Sequence, residues 1–541
     1  MKWRVTSSIG GGKSYTAAAR EEYAGIAQVL DDAASQLSGQ ATAWSAAALQ
    51  LGNYRASGIC QLTGSGASGL AAGSDAADFG IGIDHESLPY HALIEGCDNA
   101  AVQCQTLSQG LSAMASLLVR AHSLYSQAEH ATRGAMNSLM EGSGTILPWQ
   151  TAAGFLALAT GGAIASSVGE RRFNPLGALS STAWAQEGAL RAASNHVNVR
   201  AMGVSGLGAG VDRAAGILSM GTSRLVDFAQ GNLLRVERVE ATRPVVGESH
   251  SVAQSLANLQ RLAAQRRDAA GASANGNGSN LDYGTIAIQK YRNADGTLSW
   301  LVTIPGTDGK PDSAFGWPHN LEVMSADAGQ RMRGDSARMV AEAMKQAGIG
   351  STDQVALIGH SQGGIVAAAI ASDMKDSYRI EHVVTAGSPV ANHPVPHSTW
   401  MTSIEMEDEL VAALDGAANP SDEHWLTIRG RALPEPSGTS PAINADGSCL
   451  PGAAPAFVNP FSSAPVEGAA ERKESTHHLR YHQAAYRNAS DLGSPAVQRH
   501  ERHFQDIVSG KLEETSYWQG RMASGPPTAP GERIGARTPM R

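Results

Sequence analysis

The stretch Val355-Ala-Leu-Ile-Gly-His-Ser-Gln-Gly-Gly-Ile-Val-Ala-Ala-Ala-Ile370 predicts a strand, a sharp turn and a helix in direct succession. An apolar run of strand character enters G-H-S-Q-G, and an alanine-rich helical run leaves it without a linker. This context is typical of a nucleophile elbow, which presents one strained, exposed serine, here Ser361. Gly359 and Gly363 are expected to be glycine because strand and helix approach too closely for a Cβ. The context matters, because G-x-S-x-G alone can arise by chance in a chain with 60 glycines.

Composition excludes several functional classes. At 541 residues the chain exceeds one ordinary domain, and we expect two. It has 41 Lys+Arg against 50 Asp+Glu, a net charge of −9, which does not favour nucleic acid as a partner. The four cysteines, Cys60, Cys97, Cys104 and Cys449, are too scattered for a disulfide framework or a C-x-x-C zinc site.

The amino terminus has no apolar core of the length that a secretory signal peptide needs. We therefore expect a cytoplasmic protein or one exported by a non-Sec route. Its GGGKS lacks the first glycine of a P-loop, because Ser7 occupies that position, and is interpreted as a flexible lead-in. The most membrane-like stretch, Ile146 to Val168, is rich in Ala, Gly, Ser and Thr and is interpreted as a packed helix or helical hairpin. Contact of the protein with a membrane surface is kept as an alternative to this interpretation.

A change of pattern near residue 270 predicts two domains. Residues 1–268 carry apolar side chains at three- and four-residue spacing and predict a helical domain. Residues 269–281, rich in Gly, Ser and Asn, predict a linker. Residues 282–515 alternate strands and helices, with a Pro- and Ala-rich insertion at 432–470 that is either a lid or disordered, and 516–541 are expected to form a disordered tail.

Strands separated by helices imply a mostly parallel sheet with helices on both faces. The predicted fold class is therefore α/β, an α/β-hydrolase domain preceded by an all-α helical domain. In such a domain the acid and the histidine of a Ser–His–Asp/Glu triad follow the serine in the chain.

Two acids qualify as the residue that orients the histidine. Asp408 and Glu409 both follow the predicted strand Met401 to Met406, where that acid belongs. The alternative for either is a solvated surface charge.

Three histidines qualify as the general base: His477, His478 and His482. A position at the start of the following helix favours His478, and His482 is the main alternative.

The oxyanion hole requires two donors. The N–H of Gln362, directly after the nucleophile, is one. The loop that ends Leu301-Val-Thr-Ile-Pro-Gly-Thr307 supplies the second through Thr307. The alternative for that loop is an ordinary turn at a strand end.

These motifs together resemble lipase- and esterase-like α/β-hydrolases of actinobacterial type. The matching elements are I-P-G-T ending at Thr307, W-x-x-N at Trp317 to Asn320, and GHSQGG. Glu409-Leu-Val-Ala-Ala-Leu-Asp-Gly416 is similar to the D-x-V-P-x-L-D-G of that group, which favours Glu409 by register, whereas the usual residue type favours Asp408. H-L-R-Y at His478 and H-x-x-x-Y at His482 are similar to family histidine motifs.

The resemblance implies a serine hydrolase acting on an ester or lipid substrate, with no metal or organic cofactor. A peptidase or thioesterase with the same triad is an alternative, and so is a degenerate, inactive hydrolase fold.

The helical half loosely resembles regions related to the small WXG-type proteins of type VII secretion. Trp44 lies near the end of the first helical run, although Ser45-Ala46 follows it where that family has x-Gly. The resemblance implies an export or partner-binding module, so the chain could be chiefly a secreted interaction or effector protein.

Overall fold

The computed structural model describes residues 2–12, 17–64, 89–121, 137–138, 140–141, 145, 186–206, 209–271, 279–308, 310, 312–316, 319–435, 439–443, 449–455, 463–470 and 474–524.

The helices of eight or more residues in these ranges are α1 (Ala17–Gly64), α2 (Tyr90–Ala121), α3 (Gln186–Met202), α4 (Val211–Gln230), α5 (Val252–Gly271), α8 (Asp335–Ala347), α9 (Gln362–Asp373), α10 (Leu479–Asp491) and α11 (Pro495–Ile507). Two shorter helices, α6 (His319–Val323) and α7 (Ala328–Arg333), precede α8. The strands are β1 (Trp3–Gly11), β2 (Leu233–Val239), β3 (Thr285–Arg292), β4 (Leu298–Ile304), β5 (Gln354–His360), β6 (Arg379–Ala386), β7 (Trp400–Met406), β8 (Trp425–Pro434), β9 (Thr439–Ile443), β10 (Cys449–Pro455), β11 (Ala464–Pro465) and β12 (Lys511–Ala523).

A ten-stranded sheet organises most of these elements. Its order is β11-β1-β8-β7-β6-β5-β4-β3-β12-β2. The five central strands, β4 to β8, run parallel, and the outer pairings are antiparallel. The carboxyl ends of the central strands therefore lie on one edge of the sheet, where side chains from different loops can meet.

Helices cover both faces of the sheet, which confirms the predicted α/β class. Alternate residues of β5 show why its sequence is apolar throughout: Val355 and Leu357 pack in one core with α8 and α9, whereas Ala356 and Ile358 pack in a second core with α5 and α10. A parallel strand that is buried on both sides has no solvent-exposed face for polar residues.

The amino terminus differs from the flexible lead-in that its glycines suggested. β1 pairs with β8 in antiparallel register, with Ile9 opposite Ile428. Along β1 every second residue is buried, including Val5 and Ile9. The period-two pattern of W-R-V-T-S-S-I carried this information, but the run of glycines drew the interpretation away from it.

The predicted domain boundaries differ from the structure. α5 lies in the expected helical domain, yet Leu256 and Leu259 are fully buried in the core shared with the sheet. β12 extends through the start of the expected tail and pairs with both β3 and β2. Local periodicity predicts each helix or strand but not the distant strand against which it packs. The predicted boundary therefore follows the change of sequence pattern rather than the tertiary contacts.

The chain forms two compact units, which interleave in sequence. The first comprises Met1–Thr16, Arg120–Glu435 and Pro460–Arg541, and the second comprises Ala17–Val119 and Pro436–Asn459. The insertion predicted at 432–470 contributes to both: β8 continues to Pro434, β9 pairs with β10, and β11 pairs with β1.

The second unit contains the long helices that the sequence predicted. The buried residues of α1 include Ala27, Ala34, Ala41 and Ala48, which recur every seven residues. Ser108 of α2 donates a hydrogen bond to the carbonyl oxygen of Ala34 at 2.7 Å. Small residues at this spacing let two helices approach closely along one seam.

Within the described residues no helix is both long and apolar enough to cross a membrane. The stretch from 146 to 168 lies outside these residues, as do 272–278 of the expected linker and 525–541 of the expected tail.

The contribution of α5 to the first unit can be measured. Leu256→Ala should lower the free energy of unfolding by about 2–5 kcal/mol, because it leaves a cavity in a filled core. Leu433→Ala, at a position 38% exposed on β8, should cost about 0.5 kcal/mol or less. Urea denaturation compares them, and equal effects would contradict the assignment of α5 to this core.

Candidate active site

Ser361 occupies the turn between β5 and α9 in a strained conformation. Its backbone has φ 54° and ψ −125°, a combination with positive φ that non-glycine residues rarely adopt. The N–H of Ser361 donates to the carbonyl oxygen of Ala386 at the end of β6, at 2.9 Å. The strand–turn–helix predicted from the sequence is therefore present, with the serine at its apex.

Close backbone packing explains the two glycines of the pentapeptide. A Cβ on Gly359 would lie 2.3 Å from the carbonyl group of Gly363. A Cβ on Gly363 would lie 2.1 Å from the carbonyl oxygen of Ile304. Since real Cβ atoms do not approach backbone atoms so closely, each of these positions accepts only glycine without rearrangement.

A buried carboxylate follows β7 and contacts two histidines. Glu409 is 3% exposed, and its Oε2 accepts a hydrogen bond from Nδ1 of His477 at 2.7 Å. Its Oε1 accepts one from Nε2 of His482 at 3.1 Å. Asp408, the alternative acid, directly precedes Glu409 and is half-buried.

The three candidate histidines lie in different surroundings. His477, which ranked below its neighbours by sequence, reaches Glu409 through Nδ1, and its side chain is 24% exposed. His478, which the sequence favoured, is the residue before α10, and its carbonyl oxygen accepts from the N–H of Tyr481 at 2.9 Å. His482 is fully buried beneath Glu409. The sequence could not rank adjacent histidines, because a one-residue change at a helix start turns a side chain through a large angle.

His360, directly before Ser361, contacts His477. Its Nε2 donates to the carbonyl oxygen of His477 at 2.9 Å, and the two rings lie with centroids 4.6 Å apart. The elbow and the histidine loop are thus in direct contact. The sequence offered no reason to include His360, which appeared only as the variable residue of G-x-S-x-G.

The electrostatics of this cluster favour a charged acid and a neutral His360. Burial alone would raise the pKa of Glu409, but the charge of His482 and the hydrogen bonds from His477 and His482 outweigh it and lower the pKa far below 4.5. Burial, followed by the charges of His477 and His482, lowers the pKa of His360 well below 6.5. Because its folded-state pKa is depressed, Glu409 stabilises the fold above about pH 4.5, and this contribution is lost as the pH falls below that value.

Gly387, directly after β6, leaves space for the side chains of His477 and His482. It has φ 58°, and a Cβ there would lie 2.8 Å from Nε2 of His482 and 2.9 Å from Nδ1 of His477. This residue was missed by sequence reasoning. The signal that could have identified Gly387 is its position directly after a predicted parallel strand.

The loop after β4 connects to the elbow through a chain of side chains. Asn320 donates to the hydroxyl of Thr307 at 3.4 Å, and that hydroxyl donates to Oε1 of Gln362 at 3.1 Å. Gly306 lies against the nucleophile, since a Cβ on it would be 2.9 Å from the Cβ of Ser361. Of the predicted W-x-x-N, Trp317 lies outside the described residues, and Asn320 contacts Thr307.

Asp415 ties the acid-bearing loop to the loop after β6. Its carboxylate accepts the N–H of Ala391 at 2.8 Å and the N–H of Ala417 at 3.1 Å. Burial, opposed by these bonds and assisted by the charges of Glu405 and Glu187, raises the pKa of Asp415 to about 8. The L-D-G motif at this residue thus has a structural role next to the site.

Comparison with known families agrees with this fold. Residues 315–423 match the model of the PGAP1-like alpha/beta domain, a domain of α/β-hydrolase type. The matched segment contains the elbow and Glu409 and ends before the histidines. No curated protein and no solved structure matches the chain.

The packing of the elbow predicts a sharp difference between glycines. Gly363→Ala should destabilise the protein by roughly 1–3 kcal/mol or more, because a backbone carbonyl must move to admit the new methyl group. Gly10→Ala is a suitable control, since a Cβ on Gly10 meets nothing within 4 Å. Thermal unfolding would compare the two, and an unchanged midpoint for Gly363→Ala would contradict the close approach.

Proposed function

We propose that the protein hydrolyses carboxylic esters with a triad of Ser361, His477 and Glu409. The observation that carries the proposal is the bond from Nδ1 of His477 to the buried Glu409, on the sheet edge where the elbow presents Ser361. This is the relation of base and orienting acid that serine hydrolases require.

The hydrogen bonds assign each atom a task. Because Nδ1 of His477 donates to Glu409, the lone pair of its neutral ring belongs to Nε2, the nitrogen that accepts the proton of the Ser361 hydroxyl. Oγ then bonds to the acyl carbon, and the alcohol leaves with the proton returned by His477. Water, deprotonated by the same nitrogen, cleaves the acyl-enzyme and restores Ser361.

Two backbone donors stabilise the negative oxygen of each tetrahedral intermediate. The N–H of Gln362 lies at the start of α9, where the helix dipole adds positive potential. The second is the N–H of Thr307, whose side chain bonds to that of Gln362. This side-chain bond holds the two donors at a fixed separation before substrate arrives.

His482 acts as a positioning residue. Its Nε2 faces Glu409 and its Nδ1 faces the carbonyl oxygen of His478 at 3.3 Å, so both ring nitrogens meet acceptors. The bond from His482 holds the Glu409 carboxylate in place while its other oxygen accepts from His477.

An ester is favoured over a peptide by the family comparison. The matched model belongs to a family of GPI inositol deacylases, a name that denotes removal of an acyl group. A short p-nitrophenyl ester is therefore the appropriate first substrate, and a peptide amide is the alternative to be compared with it.

Ser361 offers a test that separates chemistry from strain. Ser361→Ala and Ser361→Gly should both abolish turnover of p-nitrophenyl butyrate and labelling by a fluorophosphonate. Ser361→Gly should also be more stable than Ser361→Ala by about 1 kcal/mol or more, because glycine accepts the observed φ and ψ without strain. Turnover that survives either substitution would exclude Ser361 as the nucleophile.

The partners of Ser361 can be distinguished from their sequence neighbours. His477→Ala and Glu409→Gln should each lower kcat on the order of 10⁴-fold, since the first removes the base and the second favours the wrong tautomer. His478→Ala and Asp408→Asn, the matched neighbours, should change kcat far less. A larger loss for His478→Ala than for His477→Ala would reassign the base.

A second role for the helical unit is supported by its surface. Trp44 and Tyr54 of α1 are 44% and 66% exposed, which suits contact with a protein partner such as an export machinery. In a host with type VII secretion, replacing both by Gln should reduce export while fluorophosphonate labelling in the cell persists. Ser361→Ala is the control, and export that does not differ between the two variants would remove this role.

A further inference from the structure

Three potential metal ligands converge on the edge of the sheet opposite Ser361. His397 precedes β7, and Asp422 and His424 precede β8. One ligand atom from each lies within 4.8 Å of the other two. These residues enter neither the elbow nor the histidine cluster at Glu409.

The ligand set fits a particular class of cation. Two imidazoles and one carboxylate suit Zn²⁺ and neighbouring first-row ions, whereas Mg²⁺ and Ca²⁺ prefer oxygen ligands alone. A tetrahedral ion with bonds of about 2.0–2.1 Å needs its ligands roughly 3.4 Å apart. His397 is exposed, so its side chain can move inward to close the set.

The other two ligands are held by the backbone. Oδ1 of Asp422 accepts the N–H of His424 at 2.9 Å, so Oδ2 can take the cation. The carbonyl oxygen of Asp422 accepts the N–H of Gly12 at 2.7 Å, and that of His424 accepts the N–H of Met401 at 2.7 Å.

Aromatic packing also orients the ligand ring of His424. The Trp400 ring meets it edge to face with centroids 5.3 Å apart. Two of the three ligands are thus largely preorganised, which reduces the entropy lost on binding.

We propose that His397, Asp422 and His424 form a structural binding site for Zn²⁺, with water as the fourth ligand. The bound ion joins the loop before β7 to the loop before β8 and, through Gly12, to the end of β1. It lies apart from the ester chemistry, because the seven residues of β7 separate the two sheet edges by roughly 20 Å.

The test uses the full chain after treatment with a chelator and dialysis. Titration with Co²⁺ should produce the visible absorption of a four-coordinate ion at one equivalent, and Zn²⁺ should abolish it by displacement. Saturation with Zn²⁺ should raise the midpoint of thermal unfolding by a few degrees, on the order expected when a ligand binds only the folded state. None of these measurements depends on hydrolytic activity.

Substitutions identify the ligands. His397→Gln and His424→Gln should each weaken Zn²⁺ binding, measured by calorimetry, by at least about tenfold, because even outer-shell partners are worth that much. His250→Gln is the matched control, since His250 is another exposed histidine beside a carboxylate, Glu248, but outside this set.

Two results would overturn the site. One is an absence of Zn²⁺ binding by the unsubstituted protein. The other is a Kd unchanged in both His397→Gln and His424→Gln. His397→Gln decides alone if His424→Gln fails to fold, because the exposed His397 side chain can be replaced without disturbing a core.

Discussion

The separation between β5 and α9 is the constraint on which the rest of the site depends. At Gly359 and Gly363 the backbones approach so closely that no side chain fits between them. This approach forces Ser361 into its positive φ and directs the helix across the sheet. The same closeness brings the loop after β4 to the nucleophile, because the carbonyl oxygen of Ile304 lies against Gly363. The two glycines therefore allow both the turn at Ser361 and the close approach of the loop after β4.

Charge imposes the second level of organisation. A carboxylate as buried as Glu409 is costly unless it is paired and hydrogen-bonded. Here each of its two oxygens accepts a hydrogen bond from a different histidine, and one of these histidines, His482, is itself buried. The buried pair of Glu409 and His482 therefore leaves His477 as the partly exposed member of the cluster. Gly387, with its positive φ, supplies the space that both histidines need.

The sequence predicted the elements whose information is local. The elbow, the parallel strands around it and the I-P-G-T loop are each encoded within a few residues, and each is found where it was expected. The choice between Asp408 and Glu409 was not local, since it depends on which carboxylate a turn directs inward. The choice among His477, His478 and His482 was not local either, because it depends on which side chain the turn before α10 directs toward Glu409. The boundaries were placed wrongly because β1, α5 and β12 reveal their partners only in three dimensions.

The pairing of β1 with β8 also has a consequence for how the protein is made. Ile9 is synthesised before its partner Ile428, which follows roughly 420 residues later, and at usual elongation rates this is a delay of about 20–80 s. Throughout that time the β1 strand has no neighbour, and the edge that β8 will present does not yet exist. The closure of so long a loop comes late in folding, because the chain must lose conformational entropy before any contact between its ends contributes favourable free energy. β1 can therefore take its place in the sheet only after β8 has been synthesised.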